Sequence, residues 1–221
     1  MSNETKAADA ATTGRTKTGM SSRVRFITVT AMLSAISFVL MYFEFPIPIM
    51  PAFIKFDFSD LPALIGTFAY GPLCGVIVCL IKNLLHLMDS NSMLVGELSN
   101  FILGAAFVIP AGLIYKFKKT KKSALIGGIT GAVFMGVFCV FSNYFIVYPI
   151  YTNFMPMDAI IGMYKALNPK VNSLMDALVM FNMPFTFVKG LTSTLVTLAV
   201  YKYISPILKH GTKQKSAKQA G

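Results

Sequence analysis

Long apolar runs without a charged side chain constrain this chain most. Phe26 to Phe43 and Leu61 to Ile81 contain no Asp, Glu, Lys or Arg, and similar runs recur to near the C-terminus. A stretch of roughly 18 such residues is long enough to approach a bilayer crossing as a helix. Only 13% of the 221 residues are charged, against roughly 25% in soluble domains. The expected fold is an all-α membrane protein, a six-transmembrane-helix bundle with a long proline- and phenylalanine-rich loop between helices 1 and 2. Residues 1–22 read as a disordered cytoplasmic tail, 23–206 as the bundle and 207–221 as a basic cytoplasmic tail.

The net charge of +11 does not point to nucleic acid, because of where it sits. Lys6, Arg15, Lys17, Arg23 and Arg25 precede the first span. Lys116, Lys118, Lys119, Lys121 and Lys122 share one short loop, and Lys202, Lys209, Lys213, Lys215 and Lys218 close the chain. These are positive-inside clusters of a multi-pass cell-membrane protein, and they can also attract anionic membrane lipid. The first two clusters belong on one side, so an even number of crossings separates them. Leu61 to Leu87 must then supply two short crossings, turning at Tyr70-Gly71-Pro72. Further helices are expected over Gly96–Tyr115, over Ser123–Tyr148 stopped by Pro149, and over Leu174–Tyr203 with a kink at Pro184. Residues 149–173 read as a polar loop. With six crossings both termini are cytoplasmic.

Glu44 to Pro72 interrupts the helical pattern. Pro46, Pro48 and Pro51 fix φ and remove donors, so Phe45 to Ala52 cannot be regular helix. Ile54, Phe56 and Phe58 alternate with Lys55 and Asp57, placing aromatics on one face and charges on the other. Ser59 or Asp60 then caps a helix with Pro62 in its first turn. The segment reads either as an interfacial connector or as a lid over a pocket for a flat aromatic ligand.

Lys189 lies inside the last helix, far from either end. A central charge costs at least ~2.5 kcal/mol and should face a pocket or a partner. Thr186 and Asn182 share its face, and Asn143 is the lone amide of the preceding apolar run. An ammonium and an amide among Phe and Met side chains suit a planar ligand with carbonyl and ring-nitrogen acceptors. The bland reading is that Lys189 pairs with Glu97 or Asp60 for structure alone. Lys82, Asn83 and His86 form a weaker cluster, with Lys82 explained by snorkelling. Glu97 and Asn100 open a helix, where Glu97 complements the dipole or, with Asn100, binds ligand hydroxyls. Ala31 with Ala35, and Gly127 with Gly131, form small-residue helix faces suited to close contact. Cys74, Cys79 and Cys139 have no metal-site spacing. There is no phosphate-binding loop and no catalytic triad or metal cluster to assemble, so neither a cofactor nor enzymatic activity is expected.

Three ordered motif groups carry a resemblance. They are Phe45-Pro46-Ile47-Pro48 with Phe53 through Gly66 and Gly71-Pro72; Lys82 through His86 with Gly96 through Gly104; and Pro184 through Gly190. Together they resemble the riboflavin-binding S component of energy-coupling factor (ECF) transporters over about residues 25–205. The resemblance implies a vitamin-binding membrane subunit that docks on a transmembrane T component driven by two cytoplasmic ATPases, with riboflavin as transported substrate. It implies ring contacts from Asn143, Lys189 and the residue three before that lysine. Some members have Asn there, where this chain has Thr186, which puts one ring contact in doubt; Asn182 or a water could replace it. It also implies a covering loop, here with Phe45 and Phe53, and a docking face at Ala31 and Ala35. The readings left open are a flavin nucleotide or another vitamin on the same fold, a small ion-coupled transporter using Lys189, and a membrane assembly protein without ligand.

Overall fold

A computed structural model describes residues 22–89 and 94–209, with side chains to residue 200. The expected terminal tails lie almost entirely outside it. α1 spans Ser22–Tyr42, α2 Asp60–Tyr70, α3 Pro72–His86 and α4 Val95–Phe117. α5 runs Lys121–Tyr151 and α6 Met157–Leu167. α7 comprises Leu174–Ala177, a π-helical turn over Leu178–Asn182 and Met183–Lys209. A two-stranded ribbon, β1 Phe45–Pro46 and β2 Lys55–Phe56, pairs Phe45 with Phe56 and Pro46 with Lys55.

Among the described residues, α1, α4, α5 and the stretch Leu174–Val200 of α7 are long and apolar enough to span a membrane. The surface supports that solvent. α1 turns Ile27, Met32, Ile36 and Val39 outward and buries Thr30, Ser34 and Ser37. α5 likewise exposes Val133, Phe134, Val137 and Phe141. An apolar exterior of this extent, with the hydroxyls of α1 turned inward, is the reverse of a soluble helix face, where burying apolar surface drives folding.

α2 occupies the middle. It packs against α1, α3, α4 and α7 and is buried from Pro62 to Phe68. Eleven residues reach only about 16 Å at 1.5 Å per residue, and the neighbouring helices enclose that short length. Gly71 joins α2 to α3 at φ 100°, a conformation open to glycine at little cost. At this turn Tyr70 packs edge-on against Phe26 of α1, with centroids 6.0 Å apart, and Phe68 lies 4.8 Å from Tyr115 near the end of α4. α2 and α3 therefore lead from the flap to the basic end of the bundle and back.

Close packing of α4 on α5 depends on Gly127 and Gly131. A Cβ there would sit 2.7 Å from the Ala111 carbonyl oxygen and 2.5 Å from that of Phe107. That small-residue face is internal packing.

Three expectations require correction. Pro149 does not end α5, which continues to Tyr151. A π-helical turn over Asn143–Val147 precedes it, and the proline falls in the first turn of the terminal segment, where a missing donor is tolerated. Residues 149–173 are not simply a polar loop, because α6 lies within them. Ile160 and Tyr164 are buried one helical turn apart, with Asp158 in the first turn and Lys165 in the last, charges that complement the dipole. Finally, the side chains of Ser59 and Asp60 do not cap α2. Asp57 Oδ1 accepts from the Ser59 backbone N–H at 2.8 Å, and Asp60 turns inward.

Candidate functional site

The segment 43–59 folds back over the end of the bundle. Glu44, just before the ribbon, and Lys55, within it, are joined by a salt bridge. Phe45 is half-exposed and packs on Phe56 and Phe58 with centroids 5.5 and 6.3 Å apart. Beneath the flap lies a cavity of about 320 Å³, within the size range of ligand sites. Phe53, Ile54, Lys55 and Asp57 face it from the flap. The aromatic cluster of Phe45, Phe56 and Phe58 is not part of its lining. The structure thus separates Phe56 and Phe58 from Lys55 and Asp57 and turns the charged side toward the cavity, but Ile54, expected with the two phenylalanines, faces the cavity as well.

At the cavity floor Lys189 Nζ donates to Asp57 Oδ2 at 2.8 Å and to Asn100 Oδ1 at 3.4 Å, with Asp60 Oδ2 at 3.7 Å. The partner is Asp57 rather than Glu97, and Asp60 is secondary. Lys82 Nζ donates to Asp60 Oδ1 and to Ser59 Oγ, both at 2.6 Å. Lys82 does not snorkel. Its side chain is fully buried, because Asp60 on the adjacent helix offers a carboxylate that solvent would otherwise replace. Ser37 of α1 donates to the Ser59 carbonyl. Two lysines and two aspartates thus neutralise one another and, with Ser37 and Asn100, tie the flap to α1, α2, α3, α4 and α7. Burial alone pushes the Asp57 carboxyl up. The Lys189 and Lys82 charges, with hydrogen bonds from Lys189 and Ser59, outweigh it and hold Asp57 below its usual range.

The walls come from α4, α5 and α7. Asn182, Thr186 and Lys189 all line the cavity, as do Asn143, Asn100 and Phe53. Cys139 Sγ lies 3.2 Å from Asn143 Nδ2 and 3.3 Å from Thr186 Oγ1, so one sulfur receives both donors. Ser99 Oγ donates to Asn143 Oδ1 at 3.4 Å. Glu97 is buried but does not line the cavity. Its Oε1 lies 2.9 Å from Nδ1 of His86, which does. Ala31 and Ala35 are exposed on α1, well apart from the cavity lining.

Both asparagines on α5 and α7 sit at π-helical turns: Asn143 begins Asn143–Val147 and Asn182 ends Leu178–Asn182. Each turn ends two residues before a proline, Pro149 or Pro184. A proline clashes with the carbonyl four residues back, here Phe145 or Met180, inside the wider turn. π-helical turns of this kind recur at functional sites. Asp57, Ser99, Cys139 and Tyr148 also line the cavity, and the sequence pattern marks none of them as a ligand contact. The signal for Asp57 is an acid on the charged face of the covering loop, above a helix that carries an unpaired lysine. No group of three or more His, Cys, Asp or Glu side chains suited to a metal occurs among the described residues.

Comparisons with known proteins agree with this geometry. The family model described as "ECF transporter, substrate-specific component" matches residues 25–201. The riboflavin transporter RibU of Staphylococcus aureus is 38% identical over 196 residues, covering 89% of this chain and 98% of that protein. The riboflavin transporter FmnP of Bacillus subtilis is 33% identical over 198 residues, covering 88% and 98%. A solved structure, described as the S component of a bacterial ECF transporter, superposes with a TM-score of 0.69 at 34% identity. It covers 85% of this chain and 99% of its own. A cavity under a flap, cut into a helical bundle with an apolar exterior, is what a membrane capture subunit needs, and this chain belongs to the substrate-specific component family of ECF transporters.

Proposed function

We propose that this chain captures riboflavin at the outer face of the membrane for uptake driven by a T component and two cytoplasmic ATPases. The cavity's charge balance carries the choice of ligand. Each lysine facing it has a carboxylate partner, Glu44 for Lys55 and Asp57 for Lys189, and His86 lies against Glu97. Such a site suits a neutral, flat, hydrogen-bonding molecule. Riboflavin is neutral at pH 7, whereas its phosphate ester carries about −1.5 to −2 charge that the mouth leaves unmatched. Amide, hydroxyl and ammonium groups from Asn143, Asn182, Thr186, Asn100 and Lys189 meet ring and ribityl acceptors, and Phe53 covers them. The two relatives named as riboflavin transporters support the same ligand.

Six crossings with both termini cytoplasmic complete this reading. The basic loop 118–120 and the basic start of α1 share one end of the bundle with the Gly71 turn, and the cavity opens at the other. α2 and α3 then count as the two short crossings. Ala31 and Ala35 form the exposed face of α1 that meets the T component. Addition of riboflavin to the purified full chain tests the ligand. Flavin fluorescence should be quenched at one equivalent, with the phosphate ester bound at least ~100-fold more weakly. Absence of riboflavin quenching, or tighter binding of the ester, would sink the reading.

A further inference from the structure

We propose that Tyr164, on α6, is a positioning residue that sets the plane of the Asn182 amide in the cavity wall, and thereby the affinity for the flavin. The proposal rests on the riboflavin reading above. Tyr164 is fully buried yet does not line the cavity, while Asn182 and Tyr148 do. Its hydroxyl donates to Asn182 Oδ1 at 2.6 Å. Asn182 Nδ2 donates to the Tyr148 hydroxyl at 3.3 Å, and the two hydroxyls lie 2.6 Å apart. A phenol has one hydrogen to give. That of Tyr164 is spent on Asn182, so Tyr148 must donate to Tyr164. The three groups close a ring in which each donates once and accepts once.

The ring holds the Asn182 amide at both ends. One N–H and one carbonyl lone pair remain, and their directions into the cavity are fixed by a residue that never meets the ligand. Tyr164 also supports the flap. Phe53 packs edge-on to it, with centroids 6.1 Å apart at 83°, and Phe181 lies against its other side at 5.5 Å. The hydroxyl and the ring therefore have separable roles, because phenylalanine keeps the second and loses the first. Asn182 ends a π-helical turn, outside the regular ladder of its helix, and the two tyrosines hold its amide from other elements.

The test is a double-mutant cycle in the full-length chain, read by riboflavin titration. Tyr164→Phe should weaken riboflavin about five- to tenfold. In an Asn182→Ala background the same change should cost less than about twofold, since no amide remains to be held. In an Asn143→Ala background it should again cost about five- to tenfold, since Asn143 is outside the ring. Tyr148→Phe breaks the same ring from its other side and should show the same coupling to Asn182. An equal loss in both backgrounds would assign Tyr164 to general packing and overturn the proposal, as would no loss at all. A Tyr164→Phe chain that no longer purifies folded would overturn it in the same sense. Failure of the unsubstituted chain to bind riboflavin is a different result and strikes the ligand reading instead.

Discussion

Replacing Lys189 by methionine separates what that amine does for the fold from what it does for the ligand. In the wild-type chain its side chain is 7% exposed and its ammonium lies 2.8 Å from Asp57 Oδ2. Removing it leaves a buried carboxylate, and breaking a buried pair from one side costs about 3–5 kcal/mol. Asp57 keeps its hydrogen bonds from Ser59 and remains near Lys82, so the loss should fall at the lower end. Adding Asp57→Asn removes the orphaned charge, and loss of both charges of a buried pair is often close to neutral. The double variant should therefore recover most of the melting temperature. It should not recover binding. A hydrogen bond from a charged donor contributes about 1.5–3 kcal/mol, which corresponds to roughly 10- to 150-fold in affinity. The chain has no Trp, so quenching of flavin fluorescence is the assay of choice, beside a thermal melt of the detergent-solubilised protein. A double variant that melts like the parent and binds riboflavin equally well would refute a ligand contact from Lys189.

Lys82→Met should destabilise the chain by about 3–5 kcal/mol through the orphaned Asp60. At temperatures where it remains folded, riboflavin affinity should change less than about threefold, since Lys82 does not line the cavity; titration and melting curves on one preparation check both. Leucine or phenylalanine at Ala31 or Ala35 should abolish uptake in cells carrying the partner proteins while leaving riboflavin titration of the purified chain unchanged. Uptake that survives either substitution would move the docking face away from α1.

The sequence exposes those features whose cost is local. An uncharged run of this length has few places to go but a membrane, and Gly71-Pro72 inside one has few roles but a turn. Lys189 was legible for the same reason: an amine so deep in an apolar helix requires a cavity or a counter-ion, whichever partner it finds. The structure supplies both, joining the site and the ion-pair readings that the sequence held as alternatives. What a local reading misjudged were residues with an inexpensive local outcome. Lys82 near a helix end is expected to snorkel, and Glu97 in a first turn to complement a dipole. A tertiary partner overrules the first, while Glu97 keeps its first-turn place and adds a contact with His86. The lysines' partners are distant in sequence: Asp60 lies 22 residues from Lys82, and Asp57 lies 132 from Lys189. No periodicity records such a pairing.

The π-helical turns and α6 were missed differently, because their signals are present but were weighed against stronger ones. Pro149 reads as a stop because a proline inside a regular helix removes a bond and clashes. That reading ignores that the turn before it can widen, as it does at both Pro149 and Pro184. In α6, Met157, Ile160, Ile161 and Tyr164 keep helical spacing, but Pro156 and Pro169 on either side suggest a loop. The two omissions meet at Tyr164, whose hydroxyl reaches from the unexpected helix to the asparagine at the unexpected turn. A wall residue set on a widened turn needs support from outside its own helix. The part of the site least visible in the sequence is therefore the part whose geometry depends most on contacts between elements.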